Sequence, residues 1–189
     1  MNRVLSENGR PDLVYTIASN TTYPSWGYMI QKGATTIWEL WNGDTADPGM
    51  NSGNHVMLAG DLVIWLYENL AGIKSDPERP GFKHILMRPT PVGNIQFVKA
   101  THQSPFGLIE SGWKIAGQGF DWEVTVPVNT TATISIPASG IDTITENGKP
   151  VHTVSGVTFL RMEGSRALFD IVPGEYRFHS DLPAGDRSK

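Results

Sequence analysis

The stretch Phe120-Asp121-Trp122-Glu123-Val124-Thr125-Val126 alternates apolar and polar side chains at every position. Successive side chains of a strand point to opposite faces, so this pattern describes a strand with one buried face and one wetted face. Its neighbours follow the same grammar. Ala132, Ile134 and Ile136 alternate with threonine and serine. Residues 95–101 and 107–114 flank a turn at Ser104-Pro105-Phe106-Gly107. Asn147-Gly148 is a tight-turn signal, and Gly164-Ser165 and Pro173-Gly174 mark two further turns. Six or more short strands with regular punctuation predict an antiparallel β-sandwich over residues 79–189, with a tail disordered from about residue 181.

Upstream the period changes. Ala59, Leu62, Val63, Leu66 and Leu70 recur at helical spacing, and Val56, Ile64, Trp65 and Tyr67 widen the apolar girth. This predicts a largely buried helix over residues 54–71, capped by Ser52 or Asn54 and closed by Gly72. Shorter helices are expected over residues 12–19, with Pro11 in the first turn, and over residues 25–32. Residues 32–54 read as a long polar loop around an aromatic knot. The stretch 72–81 holds two prolines, two glycines and mixed charges, the composition of a linker or domain edge. Residues 1–78 and 79–189 therefore form the two expected domains.

Composition excludes several classes of function. The chain has 189 residues, of which 39% are hydrophobic and 18% charged, a globular balance rather than a disordered one. A net charge of -4 argues against a basic nucleic-acid scaffold. With no cysteine there is no disulfide framework, thiolate metal site or cysteine nucleophile. No apolar run reaches membrane-spanning length, and residues 1–10 lack the apolar core of a signal peptide, which favours the cytoplasm. Gly117-Gln118-Gly119 has Trp122 where a dinucleotide fingerprint needs a third glycine. His84, His102, His152 and His179 are scattered without metal-ligand spacing, so no metal or cofactor is implied.

Two places can carry chemistry. In residues 33–44, GATTIWELWNGD, Glu39 lies between Trp38 and Trp41. A carboxylate walled by indoles loses hydration, which suits it to proton transfer, and indole faces stack on sugar rings. The same residues equally describe a surface glutamate between two core tryptophans. In Asn51-Ser52-Gly53-Asn54-His55, the histidine would sit at a helix start, where a neutral imidazole is favoured and can hydrogen-bond a hydroxyl. A buried histidine tying down a loop is the better fit on sequence alone. Trp113 and Trp122 are candidate sugar platforms, but the alternation puts Trp122 on the core side.

Three runs are specific: Tyr23-Pro24-Ser25-Trp26-Gly27-Tyr28-Met29, Gly33-Ala34-Thr35-Thr36-Ile37-Trp38-Glu39-Leu40-Trp41, and Ser52-Gly53-Asn54-His55. Together with Trp122-Glu123-Val124-Thr125-Val126-Pro127 and Pro173-Gly174-Glu175-Tyr176-Arg177-Phe178, they closely resemble bacterial α-L-rhamnosidases of glycoside hydrolase family 78. The resemblance implies an α+β multidomain architecture, the last helices of an (α/α)6 barrel followed by a β-sandwich. It implies inverting hydrolysis of terminal α-L-rhamnosides, with Glu39 as general base and His55, Trp38, Trp41 and Asn54 around the sugar. The family's general acid lies upstream of any residue in this chain; Glu7, Glu68 and Glu78 sit in no matching motif. The expectation is a chain inactive alone, whose apolar helix faces await an upstream barrel or self-associate. The alternatives are a non-catalytic sugar-binding or structural sandwich, or an inactive relic. Neither nucleic acid nor membrane is expected as a partner.

Overall fold

A computed structural model describes residues 1–183 of the protein. The expected tail beyond residue 183 lies outside the described residues. The chain divides into two compact units, the first spanning Met1–Leu66 and the second beginning at Tyr67.

The first unit is helical. Helices α1 (Asn2–Glu7), α2 (Pro11–Ser19), α3 (Trp26–Gln31) and α4 (Gly60–Trp65) bury Val14, Met29 and Trp65. Pro11 occupies the first turn of α2, where its missing N–H is not needed. Ser25 caps α3, its Oγ accepting the Tyr28 N–H at 2.9 Å. α1 was not legible as an element, and it is tied down from far along the chain. Asp61 Oδ2 accepts the Asn2 N–H at 3.1 Å, and Trp65 Nε1 donates to Ser6 Oγ at 2.8 Å.

The helix expected over residues 54–71 is a helical segment over residues 56–70 whose pitch changes along its length. A 3-10 turn covers Val56–Ala59, α4 follows, and a π turn covers Leu66–Leu70. The late start has a local cause. The His55 N–H donates to the Ile37 carbonyl at 2.7 Å, and the Ser52 Oγ accepts the Asn54 N–H at 3.3 Å. Residues 52–55 thus belong to a loop, and neither Ser52 nor Asn54 caps a helix. Burial along the segment is narrow as well. Trp65 and Leu70 are the buried residues of α4 and of the π turn. Val56, Met57, Val63, Ile64, Leu66 and Tyr67 are exposed. Gly72 does close the segment, with φ +77°. A Cβ there would lie 2.2 Å from the Pro89 nitrogen, so only glycine fits.

The second unit is a two-sheet sandwich. One sheet has the order β1 (Ile73–Ser75), β2 (His84–Met87), β6 (Thr131–Pro137), β10 (Arg166–Ile171), β9 (Val157–Glu163). The other has the order β3 (Phe97–Ser104), β4 (Gly107–Ala116), β5 (Gly119–Val126), β11 (Gly174–Asp181), β7 (Thr145–Glu146), β8 (Lys149–Pro150). All pairings are antiparallel except β2 with β6, which run parallel. The turns fall where expected. Asn147 and Gly148 both have positive φ, as a two-residue hairpin requires. The linker-like stretch 72–81 instead contributes β1. Its polar residues build a hairpin loop, in which Asp76 accepts the Glu78 N–H at 3.0 Å and the Arg79 Nε–H at 3.1 Å.

The core follows the alternation. Phe120, Trp122, Val124 and Val126 point inward to meet Ile134, Ile136, Phe169 and Phe178. Trp113 and Trp122 face each other across β4 and β5, and both are buried, so neither is a sugar platform. Three buried donors close the core. Trp122 Nε1 donates to Ser111 Oγ at 2.9 Å, Ser111 Oγ to the Ala71 carbonyl at 2.6 Å, and Trp113 Nε1 to the Leu70 carbonyl at 2.9 Å.

Ile134→Ala leaves a cavity in a fully buried site and should cost about 2–5 kcal/mol, read by urea unfolding. Acid should loosen the sandwich at His84. Burial pushes its imidazole below the ordinary value and the Arg79 guanidinium pushes the same way, while Asp76 and Asp170 push back. The unfolded chain therefore takes the proton first, and stability falls as pH drops through the ordinary histidine range of about 6.5. His84→Gln should flatten that part of a stability–pH curve.

Candidate active site

The loop between α3 and the 3-10 turn folds back on itself. Residues 36–40 and 51–55 lie side by side, joined like a short ladder. The Glu39 N–H donates to the Ser52 carbonyl at 2.9 Å, and the Leu40 N–H donates to Asn51 Oδ1 at 3.1 Å. The Thr36 hydroxyl donates to the Gly53 carbonyl, and the His55 N–H closes the far end on Ile37. The ladder brings together the two motifs that the sequence keeps apart.

Glu39 is held at both ends. Its Oε2 accepts the Ser52 N–H at 3.0 Å, returning the bond its own N–H makes to Ser52. The same Oε2 lies 3.7 Å from His55 Nδ1. The Glu39 side chain is 42% exposed and that of His55 29%. Oε1 makes no hydrogen bond to the described residues, so one carboxylate oxygen is fixed and the other is free to meet a water or a hydroxyl. That is the arrangement of a positioned acceptor: geometry set by the backbone, with acceptor capacity left on the second oxygen.

The two indoles expected near the carboxylate each make a contact within the helical unit. The Trp38 ring lies against Gly43, where an added Cβ would approach it to 2.6 Å. The Trp41 ring meets Trp26 edge to face, with centroids 6.0 Å apart. These contacts brace the loop. Asn54 is exposed, with its N–H on Ser52 Oγ. Sequence reasoning missed Ser52 as the residue that orients Glu39, because the bond comes from its backbone and carries no side-chain signal. It also missed the outer brace. Asp44 accepts the Tyr28 hydroxyl at 3.4 Å and lies 3.8 Å from Lys32 Nζ. Among the described residues, no group of three or more His, Cys, Asp or Glu could hold a metal ion.

Comparison with known proteins matches both units. The model of the bacterial alpha-L-rhamnosidase 6 hairpin glycosidase domain matches residues 1–70, and that of the bacterial alpha-L-rhamnosidase C-terminal domain matches residues 72–150. An alpha-L-rhamnosidase of Streptomyces avermitilis is 38% identical over 180 residues, covering 93% of this chain and 16% of the relative. One from Alteromonas is 41% identical over 180 residues, covering 93% of this chain and 18% of the relative. The chain thus spans less than a fifth of the length of these two relatives. The crystal structure of the Streptomyces avermitilis enzyme, complexed with L-rhamnose, superposes with a TM-score of 0.84 at 35% identity, over 95% of this chain and 17% of that one. That of the Dictyoglumus thermophilum enzyme gives 0.84 at 31% identity, over 95% and 20%. Its helices match one domain of these proteins and its sandwich the next, and the chain belongs to the bacterial α-L-rhamnosidase family.

Proposed function

We propose that this chain supplies the general base of an inverting α-L-rhamnosidase. The observation that carries the reading is the Glu39 carboxylate, oriented by the Ser52 N–H and set beside His55, on a side chain 42% exposed. In an inverting glycosidase one carboxylate takes a proton from the attacking water, while a carboxylic acid across the sugar protonates the leaving oxygen, the two lying roughly 6.5–9.5 Å apart. Glu39 fits the first role. His55, beside the same carboxylate, fits a group that hydrogen-bonds a sugar hydroxyl. Trp38, Trp41 and Asn54 edge the site as supports and secondary contacts.

The acid comes from elsewhere. Glu7, Glu68 and Glu78 are the chain's other glutamates up to residue 78, and none lies in the ladder that holds Glu39. We assign the acid to the six-hairpin residues that the relatives carry beyond the span matched here. The exposed apolar side chains of the helical unit agree with this. Ile30, Met50, Val56 and Met57 are each more than two-thirds exposed, an unusual cost for a surface meeting water. The remaining helices of a six-hairpin domain would cover them.

Joined to the upstream region of the Streptomyces avermitilis relative, the chain should hydrolyse p-nitrophenyl α-L-rhamnoside, releasing β-L-rhamnose first by proton NMR. Glu39→Gln should lower kcat by about 10²–10⁴ with KM little changed. Equal rates for the two would remove Glu39 from the chemistry. The chain alone should be inactive and should self-associate, with strong binding of a hydrophobic dye. Adding the upstream region should abolish both the association and the dye signal.

A further inference from the structure

A hollow lies on the sandwich, within the unit that begins at Tyr67. It encloses about 250 Å³ and is lined by the polar residues Arg79, His84, Thr131, Thr158 and Asp170 together with Gly156 and the apolar residues Ile171 and Val172. Strand register builds it. Asp170 on β10 pairs with Thr133 on β6 and with Thr158 on β9. His84 on β2 pairs with Thr131 on β6.

The hydrogen-bond chain beneath it has one consistent direction. The Asp170 carboxylate only accepts, so the Thr133 hydroxyl donates to its Oδ1, at 2.5 Å. Thr133 Oγ1 must then accept from His84 Nε2, at 2.9 Å. His84 is buried with a lowered affinity for a second proton, so its Nδ1 is bare and accepts the Thr131 hydroxyl at 2.6 Å. Every proton in the chain points inward, toward Asp170. What remains toward the hollow is acceptor capacity on Thr131 Oγ1 and on Asp170 Oδ2. The donors are on Arg79, whose Nε is tied to Asp76 at 3.1 Å while its terminal nitrogens make no bond to the described residues.

Charge narrows the class of ligand. Asp170 and Asp76 oppose an anion, and Arg79 opposes a cation. Carboxylate and hydroxyl acceptors beside a guanidinium donor suit neutral hydroxyl groups, which give and take hydrogen bonds at once. The apolar part of the lining suits the C–H face of a sugar ring. A volume near the lower end of ligand pockets limits the guest to one ring. We propose that this hollow is an accessory saccharide subsite, taking one neutral sugar residue through paired hydroxyls, separate from Glu39. The proposal shares only its probe, L-rhamnose, with the catalytic reading, and either stands without the other.

The test is a titration of the whole chain with L-rhamnose and with methyl glycosides of rhamnose, glucose and galactose, followed by 1H–15N NMR. Sulfate and magnesium ions serve as controls. Millimolar sugar should shift the amides of Thr131, Gly156, Thr158 and Asp170. Asp170→Ala should weaken binding at least about tenfold. Thr158→Ala, a change at an exposed strand position, should weaken it less and guards against a folding defect in the first variant. Glu39→Gln should leave these shifts unchanged. No shift with any sugar at about 100 mM, far past a millimolar Kd, overturns the proposal. Shifts with sulfate or magnesium alone overturn it too. Sugar shifts confined to Glu39 and His55 overturn it while leaving the catalytic reading intact. Shifts at the hollow in a completed chain that hydrolyses no rhamnoside would sink the catalytic reading alone.

Discussion

The carbonyls of Leu70 and Ala71 are the end of a helical segment, and the last carbonyls of such a segment have no partner within it. Here the sandwich supplies the partners. Trp113 and Ser111, both on β4 and both buried, take the two carbonyls, and Trp122 on β5 stands behind Ser111. A buried indole N–H without an acceptor would cost as much as a lost hydrogen bond, and so would a buried carbonyl without a donor. Each group settles the other. The requirement also dictates the aromatic core: Trp113 and Trp122 must face inward, and Phe120 and Phe178 pack within 6.3 Å of them. Gly72 completes the arrangement, since only a residue without Cβ lets the chain turn this close to Pro89.

Much of the fold was legible because burial on one face of a strand writes itself as alternation. Residues 119–126 and 131–137 show this directly, and the turns at 104–107, 147–148, 164–165 and 173–174 carry residues chosen for their backbone angles. The β1–β2 pairing was not legible. A three-residue strand shows no period, and Asp76, Pro77 and Arg79 look like a linker until Asp76 is seen bonding the turn. The helix over residues 54–71 was legible in its apolar spacing, but its changes of pitch were not: it runs as a 3-10 turn over Val56–Ala59, an α-helix over Gly60–Trp65 and a π turn over Leu66–Leu70.

The candidate site divides in the same way. Glu39 and His55 stood out by residue type and motif, and the structure brings them to 3.7 Å. The means by which they meet are backbone bonds between residues 36–40 and 51–55, which no side-chain pattern records. The contacts by which the tryptophans stiffen the loop were not legible either: Trp38 packs on the bare face of Gly43, and Trp41 meets Trp26.

The parallel pairing of β2 with β6 has a consequence for the order in which the sandwich assembles. Strands β3, β4 and β5 follow one another through tight turns and can pair as each one is made. β2 lies ahead of all three in the chain, yet its sheet partner is β6, with His84 bonded to Thr131 across 47 residues. The β1–β2 hairpin therefore has no sheet to join until β6 exists, and closing that loop carries the larger entropy cost. The meander is free to form early, and the hairpin that follows the helical segment must dock late.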